Sequence, residues 1–131
     1  MNATRHPRLS LRRVIGIVVC ALMVAEGAAA GEADVVDVKV RRTAPGVYDF
    51  DVTIRSIDRG WEHYADAFEV LAPDGRLLGQ RLLLHPHETE QPFTRELYGV
   101  KIPADVVSVT VRARHKPKGY DGKTLSVALP K

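Results

Sequence analysis

The residues best suited to chemistry in this chain lie in one short segment, a His-Pro-His sequence at 85–87 followed by Glu90. In an extended segment His85 and His87 point to the same side, since side chains alternate with a period of two. Imidazole and carboxylate together suit zinc or copper(II), and the scarcity of Cys and Met argues against copper(I). The segment therefore predicts a functional loop, with divalent-metal capture as its most concrete chemistry.

The segments around this loop alternate between apolar and polar residues, which is typical of half-buried strands. The clearest example is 48–55, where Tyr48, Phe50, Val52 and Ile54 alternate with polar side chains. Seven such short strands, separated by turn signals, predict an all-β, antiparallel, Ig-like or fibronectin-III-like sandwich, with a small closed barrel as the alternative. The predicted strands are 36–41, 48–55, 67–72, 77–84, 93–102, 107–114 and 125–129.

An up-and-down succession of antiparallel strands places alternate loops at the same end. The loops 57–66, 85–93 and 114–123 should therefore meet, and we call this end the loop pole. All four histidines after residue 30 fall in these loops, whereas the opposite end has Pro-Gly and Asp-Gly turns with little chemistry. Loops displayed on a rigid scaffold are a common location for function. The candidate metal ligands at the loop pole are His63, His85, His87, Asp66, Glu90 and His115.

The competing interpretation of these residues is structural. A histidine at a strand end often bonds to loop backbone, Pro86 stiffens a corner, and Asp66 is a candidate partner for Arg95 or for a backbone amide. No fixed spacing such as His-Glu-x-x-His supports a metal site. Both interpretations remain open at the level of sequence.

Aromatic residues at the same pole suggest a second kind of function, recognition of a periplasmic protein partner. Trp61, Tyr64 and Tyr120 are the candidate anchors, because Trp and Tyr dominate binding hot spots. An extended partner segment added to a sheet edge is one possible mode. The alternative is that Trp61 and Tyr64 plug the end of the sandwich, and Phe93 is expected in the core.

The first thirty residues have the pattern of a secretory signal peptide: a basic head, an apolar run at 14–24 and a small-residue stretch ending at Ala30. The apolar run is too short to span a membrane stably, which takes about 20 residues. We therefore expect cleavage after Ala30, a β-sandwich domain at 31–131 without a membrane span, and a periplasmic or secreted location. A lipid-anchored form attached through Cys20 is a minor alternative, because Val19 is bulkier than is usual before such a cysteine.

Charge and composition argue against several other functions. The predicted signal peptide contains four of the 19 basic residues and one of the 16 acidic residues, so the remaining chain has 15 of each. This balance gives no indication of nucleic acid as a partner. Cys20 is the only cysteine, so the exported domain has no disulfide and no thiol nucleophile. No serine has a nucleophile-elbow context, which favours a non-enzymatic protein.

Three motifs carry a resemblance that covers about 60–129: Trp-Glu-His-Tyr-Ala-Asp at 61–66, Leu-Leu-His-Pro-His at 83–87 and Glu-Gln-Pro-Phe-Thr-Arg at 90–95. In these motifs the chain resembles a group of small exported proteobacterial proteins that are mostly uncharacterised. The resemblance implies a periplasmic location and a compact β domain, and it carries no activity. The similar proteins often have histidine immediately before the Gly-Tyr of the last loop, where this chain has Lys118.

Overall fold

The chain folds into two antiparallel β-sheets, as seen in a computed structural model that describes residues 24–25 and 30–131. The rest of the predicted signal peptide, with Cys20, lies outside the described residues. The described part of the chain contains no helix. It therefore includes no helix that is long and apolar enough to cross a membrane. The strands are β1 (Val24–Ala25), β2 (Ala33–Ala44), β3 (Val47–Ser56), β4 (Tyr64–Leu71), β5 (Leu77–Leu82), β6 (Phe93–Lys101), β7 (Ser108–Lys116) and β8 (Leu125–Ala128).

The strand order confirms the predicted sandwich. One sheet has the order β1-β8-β7-β4-β5 and the other β2-β3-β6, so that two separate sheets face each other instead of closing into a barrel. β2 to β8 are the seven strands expected from the sequence. The two-residue β1 pairs with Ser126 and Leu125 of β8 and lies within the predicted signal peptide. Cleavage after Ala30 would remove β1 and leave β8 as an edge strand.

Alternating apolar side chains from both sheets form the core between them. In β3 the fully buried residues are Phe50, Val52 and Ile54, and in β7 Val109 and Val111 are buried in the same alternation. Burying such side chains contributes about 1.5–3 kcal/mol each, which makes the two-residue period the main determinant of the fold. Phe93 is 1% exposed, which confirms its expected place in the core.

Regular alternation breaks in two strands, β2 and β5. A register shift between Val35 and Asp37 reverses the phase of β2, so that Val35 is buried and Val36 only partly so. The strand predicted at 77–84 ends at Leu82, and a register shift lies opposite Val70 and Leu71. Leu84 is 76% exposed as a result and lies in the following loop. Bulges of this kind depend on the partner strand, although a glycine within the strand, Gly79, is a local sign of the one in β5.

Candidate functional site

The three predicted loops do meet at one end of the sandwich. The backbone N–H of Ser56, at the end of β3, donates to Gln91 Oε1 at 2.9 Å. Gln91 Nε2 in turn donates to the carbonyl oxygen of His87 at 2.8 Å, within the same β5–β6 loop. On the other side, Tyr64 of β4 is paired with Lys116 at the end of β7. The loop pole is therefore one continuous structure, held by backbone and side-chain hydrogen bonds.

Asp58, which was not among the predicted site residues, organises the loop pole. Its side chain has 0% exposure. Oδ1 accepts hydrogen bonds from Ser56 Oγ at 2.7 Å and from the Ala65 backbone N–H at 3.0 Å, and Oδ2 accepts one from the His87 N–H at 2.7 Å. A buried carboxylate is stable only when such donors replace water. Asp58 thus fixes the 57–63 loop to the loop that carries the histidines.

A second carboxylate supports the same loop from outside. Glu88 Oε1 accepts a hydrogen bond from the backbone N–H of Gly60, which precedes the exposed Trp61. Gly60 has a φ angle of 76°, a left-handed backbone conformation that residues other than glycine rarely adopt. The His63 carbonyl accepts a hydrogen bond from the Arg59 N–H at 2.6 Å and closes the turn. The loop is consequently compact, and Trp61 projects from a fixed base.

His87 is the most unusual side chain of the pole. Its ring stacks on Phe93, with centroids 3.9 Å apart and planes within 9°, and the residue is 5% exposed. Within the described residues neither ring nitrogen has a hydrogen-bond partner, and Nδ1 is 3.9 Å from Asp58 Oδ2. The His85 ring lies 4.4 Å away with a tilt of 40°. Burial, followed by the charges of Arg95 and His85, lowers the pKa of His87 below its ordinary value of 6.5.

This arrangement predicts acid sensitivity. Because the pKa of His87 is lower in the folded chain, the unfolded chain takes up its proton first as pH falls. The stability that neutral His87 contributes is complete above pH 6.5 and is lost as pH falls through the folded pKa. In His87→Phe we expect stability within about 1 kcal/mol of the parent at pH 7.5, since no hydrogen bond is removed. Urea unfolding from pH 7.5 to 5 should show a smaller loss for the variant, and equal slopes would contradict this account.

His115 does not lie in a loop, contrary to the prediction. β7 continues to Lys116, and His115 extends its buried alternation after Ala113, at 1% exposure. Nε2 lies 3.0 Å from the Ile57 carbonyl oxygen and Nδ1 lies 3.0 Å from Glu32 Oε2. The residue therefore links β7 to Glu32, which precedes β2, and to the β3–β4 loop. Extending the two-residue period by one step would have identified this inward position.

The candidate carboxylates are already paired with arginines. Asp66, which lies in β4, accepts hydrogen bonds from Arg114 Nε at 2.8 Å and Nη2 at 3.2 Å. Its expected partner, Arg95, instead lies 3.3 Å from Glu90, and this hydrogen bond is the main cause that lowers the pKa of Glu90. His63 is partly exposed in its turn. In residues 30–131, no group of three or more His, Cys, Asp or Glu side chains is placed to hold a metal ion.

The three candidate aromatic anchors differ in availability. Trp61 is 63% exposed and meets Tyr64 edge to face at 5.9 Å, so the proposed plug over the sandwich is wrong for Trp61. Tyr120 lies over the guanidinium of Arg112 at 3.7 Å. Burial and a hydrogen bond to Glu69 raise the pKa of Tyr120. Trp61 is thus the most exposed of the three candidate anchors. Tyr120 already contacts Arg112 and Glu69 within the domain.

Comparison with known proteins places this β-sandwich near one relative. Over 96 residues the chain is 38% identical to a protein of Halomicrobium mukohataei described as "Putative lipoprotein". The aligned region covers 73% of this chain and 47% of the relative, so the chain spans about half of that protein's length. The relative is archaeal, whereas the sequence motifs had indicated proteobacterial proteins. No family model matches the chain, and no solved structure matches it.

Proposed function

We propose that this protein is an exported, non-enzymatic binding domain that recognises a protein partner through the loop pole. The observation that carries the proposal is Trp61, which is 63% exposed on a loop anchored by the buried Asp58 carboxylate. Trp is enriched at binding hot spots because a single side chain buries a large area with few rotatable bonds. A rigid loop pays less entropy when it binds, which makes an anchored Trp an effective recognition element.

Other exposed side chains lie on loops of the same pole. Ile57 is 53% exposed in the same loop, and Leu84 is 76% exposed in the loop that Asp58 ties to it. His85 follows Leu84 and is also exposed. Apolar side chains beside polar ones are the usual composition of a recognition site with a desolvated centre and a wet rim. We infer a partner surface with an apolar cavity that accepts the indole of Trp61.

Export is the second part of the proposal. The basic, apolar and small-residue order of 1–30 supports processing after Ala30 and release into the periplasm or the medium. The relative described as a putative lipoprotein supports an envelope location in general. It also favours keeping the Cys20-anchored form as the alternative to release. In either form the sandwich would lie outside the cytoplasm, where a partner in the envelope can reach the loop pole.

Capture of zinc or copper(II) is the weaker alternative. It is supported by the proximity of the His85 and His87 rings and by the unpartnered nitrogens of His87 in the described structure. Against it stand the arginines bound to Asp66 and Glu90 and the inward position of His115. Asp66, Glu90 and His115 would each have to leave these partners before they could act as ligands, and within residues 30–131 His63 belongs to no group of three possible ligands.

Site-specific photo-crosslinking in the intact envelope tests the recognition proposal. A benzophenone amino acid at position 61 should give a discrete crosslinked product, because the side chain lies at the proposed interface. Tyr98 is the matched control, since it is 64% exposed but lies on β6, outside the loop pole. Equal products from both positions, or none from position 61, would contradict the proposal. A rise in the melting temperature with zinc that His87→Phe abolishes would instead favour metal capture.

A further inference from the structure

An apolar groove lies at the end of the sandwich opposite the loop pole. It has a volume of about 690 Å³ and lies between the β2–β3 turn, the β6–β7 connection and the residues that follow β8. Its apolar lining includes Tyr48, Ile102, Val106 and Leu129. Val107 at its edge is 73% exposed. The sequence had suggested little chemistry at this end, because an apolar groove formed by three separate segments has no local motif.

The charged side chains that line the groove have one sign. Arg42 and Lys131 line it, and no acidic side chain does so. Two arginines of residues 30–131, Arg42 and Arg55, have no side-chain carboxylate within 4.0 Å. Each of the other arginines in this range forms an ion pair. A guanidinium at the rim of an apolar cavity attracts an anionic group and leaves the apolar part of the same molecule to fill the cavity.

We propose that the apolar groove binds an amphiphile with an aliphatic chain and one anionic headgroup, such as a long-chain carboxylate. The aliphatic chain would cover Tyr48, Ile102 and Leu129, and the carboxylate would pair with Arg42. The volume lies within the range of small-molecule sites, about 300–1,000 Å³. This site is separate from the loop pole, so it stands or falls independently of partner recognition by Trp61.

Calorimetric titration of the purified full-length protein with dodecanoate tests this site. We expect saturable binding at one site per chain, at least tenfold tighter than binding of dodecyltrimethylammonium, which has the same chain and the opposite charge. Arg42→Glu should weaken dodecanoate binding at least tenfold. Arg55→Glu is the matched control, because it makes the same change at an unpaired arginine that does not line the groove, and it should leave binding within twofold.

A second variant tests the apolar part of the site. Ala104→Trp places a large ring in the groove and should abolish binding of both amphiphiles while Arg42 remains in place. The proposal is overturned if dodecanoate does not saturate, if both headgroups bind equally, or if Arg55→Glu weakens binding as much as Arg42→Glu does. Binding that survives Ala104→Trp would place the amphiphile elsewhere on the chain and would equally overturn it.

Discussion

Replacing Asp58 with alanine should lower the free energy of unfolding by at least about 3 kcal/mol, because three hydrogen-bond donors lose their acceptor at about 1–3 kcal/mol each. The variant leaves three donors without their acceptor, namely Ser56 Oγ and the backbone N–H groups of Ala65 and His87. Asp58→Asn keeps one carbonyl oxygen and should lose less, about 1–3 kcal/mol. Urea unfolding at pH 7.5 measures both, and thermal unfolding should show a midpoint lower by more than about 12 °C for the alanine variant.

Asp105→Ala provides the matched control for this experiment. The Asp105 carboxylate also has a partner, since it forms an ion pair with Arg76 at 3.2 Å, but its side chain is 71% exposed. An exposed ion pair of this kind is worth at most about 1 kcal/mol. Similar losses in the free energy of unfolding for Asp58→Ala and Asp105→Ala would show that burial does not strengthen the hydrogen bonds of Asp58. The Asp58 variants should also reduce crosslinking from position 61, because the loop that presents Trp61 loses its anchor.

Replacing Gly122 with alanine should lower the free energy of unfolding by about 3 kcal/mol, the upper part of the range for overpacking. A Cβ at this position would lie 1.8 Å from the Ala33 carbonyl oxygen and 2.8 Å from Asp34 Oδ1. The β7–β8 loop would have to move away from β2. That movement breaks the hydrogen bond from the Lys123 N–H to Asp34 Oδ1 at 2.7 Å and the one from the Val35 N–H to the Lys123 carbonyl at 2.9 Å.

Gly75→Ala separates this steric effect from backbone strain. Gly75 has φ of +91° and nothing within 4 Å of an added Cβ. Its replacement should cost about 1 kcal/mol through conformational strain alone. Urea unfolding of both variants, with hydrogen exchange at the Lys123 amide, distinguishes the two. If Gly122→Ala cost no more than Gly75→Ala and left that amide protected, the close approach of the loop to β2 would not contribute to stability.

The two proposed sites make separate demands on the fold. The loop pole needs rigid loops, which Asp58 and Glu88 provide by accepting hydrogen bonds from backbone N–H groups. The apolar groove needs an uncovered apolar surface beside an unpaired cation. They lie at opposite ends of the sandwich, so one domain has room to hold a partner at one end and an amphiphile at the other.

The sequence by itself determined the strands and the ends at which the loops lie. Alternation with period two in segments such as 48–55, and turn residues such as Pro45 and Gly46, act through nearest neighbours in the chain. The antiparallel succession then required 57–66, 85–93 and 114–123 to share one end. Phe93 was placed in the core by the same local pattern.

Only the tertiary structure decided what the side chains at that end do. Asp58 became the anchor because β5 and β6 bring the His87 amide to it across 29 residues. Arg114 pairs with Asp66 because β7 lies beside β4. Arg95 forms its ion pair with Glu90 instead. Burial and hydrogen-bond partners depend on which strands become neighbours in space. A short stretch of sequence holds no information about a partner 30 or 50 residues away.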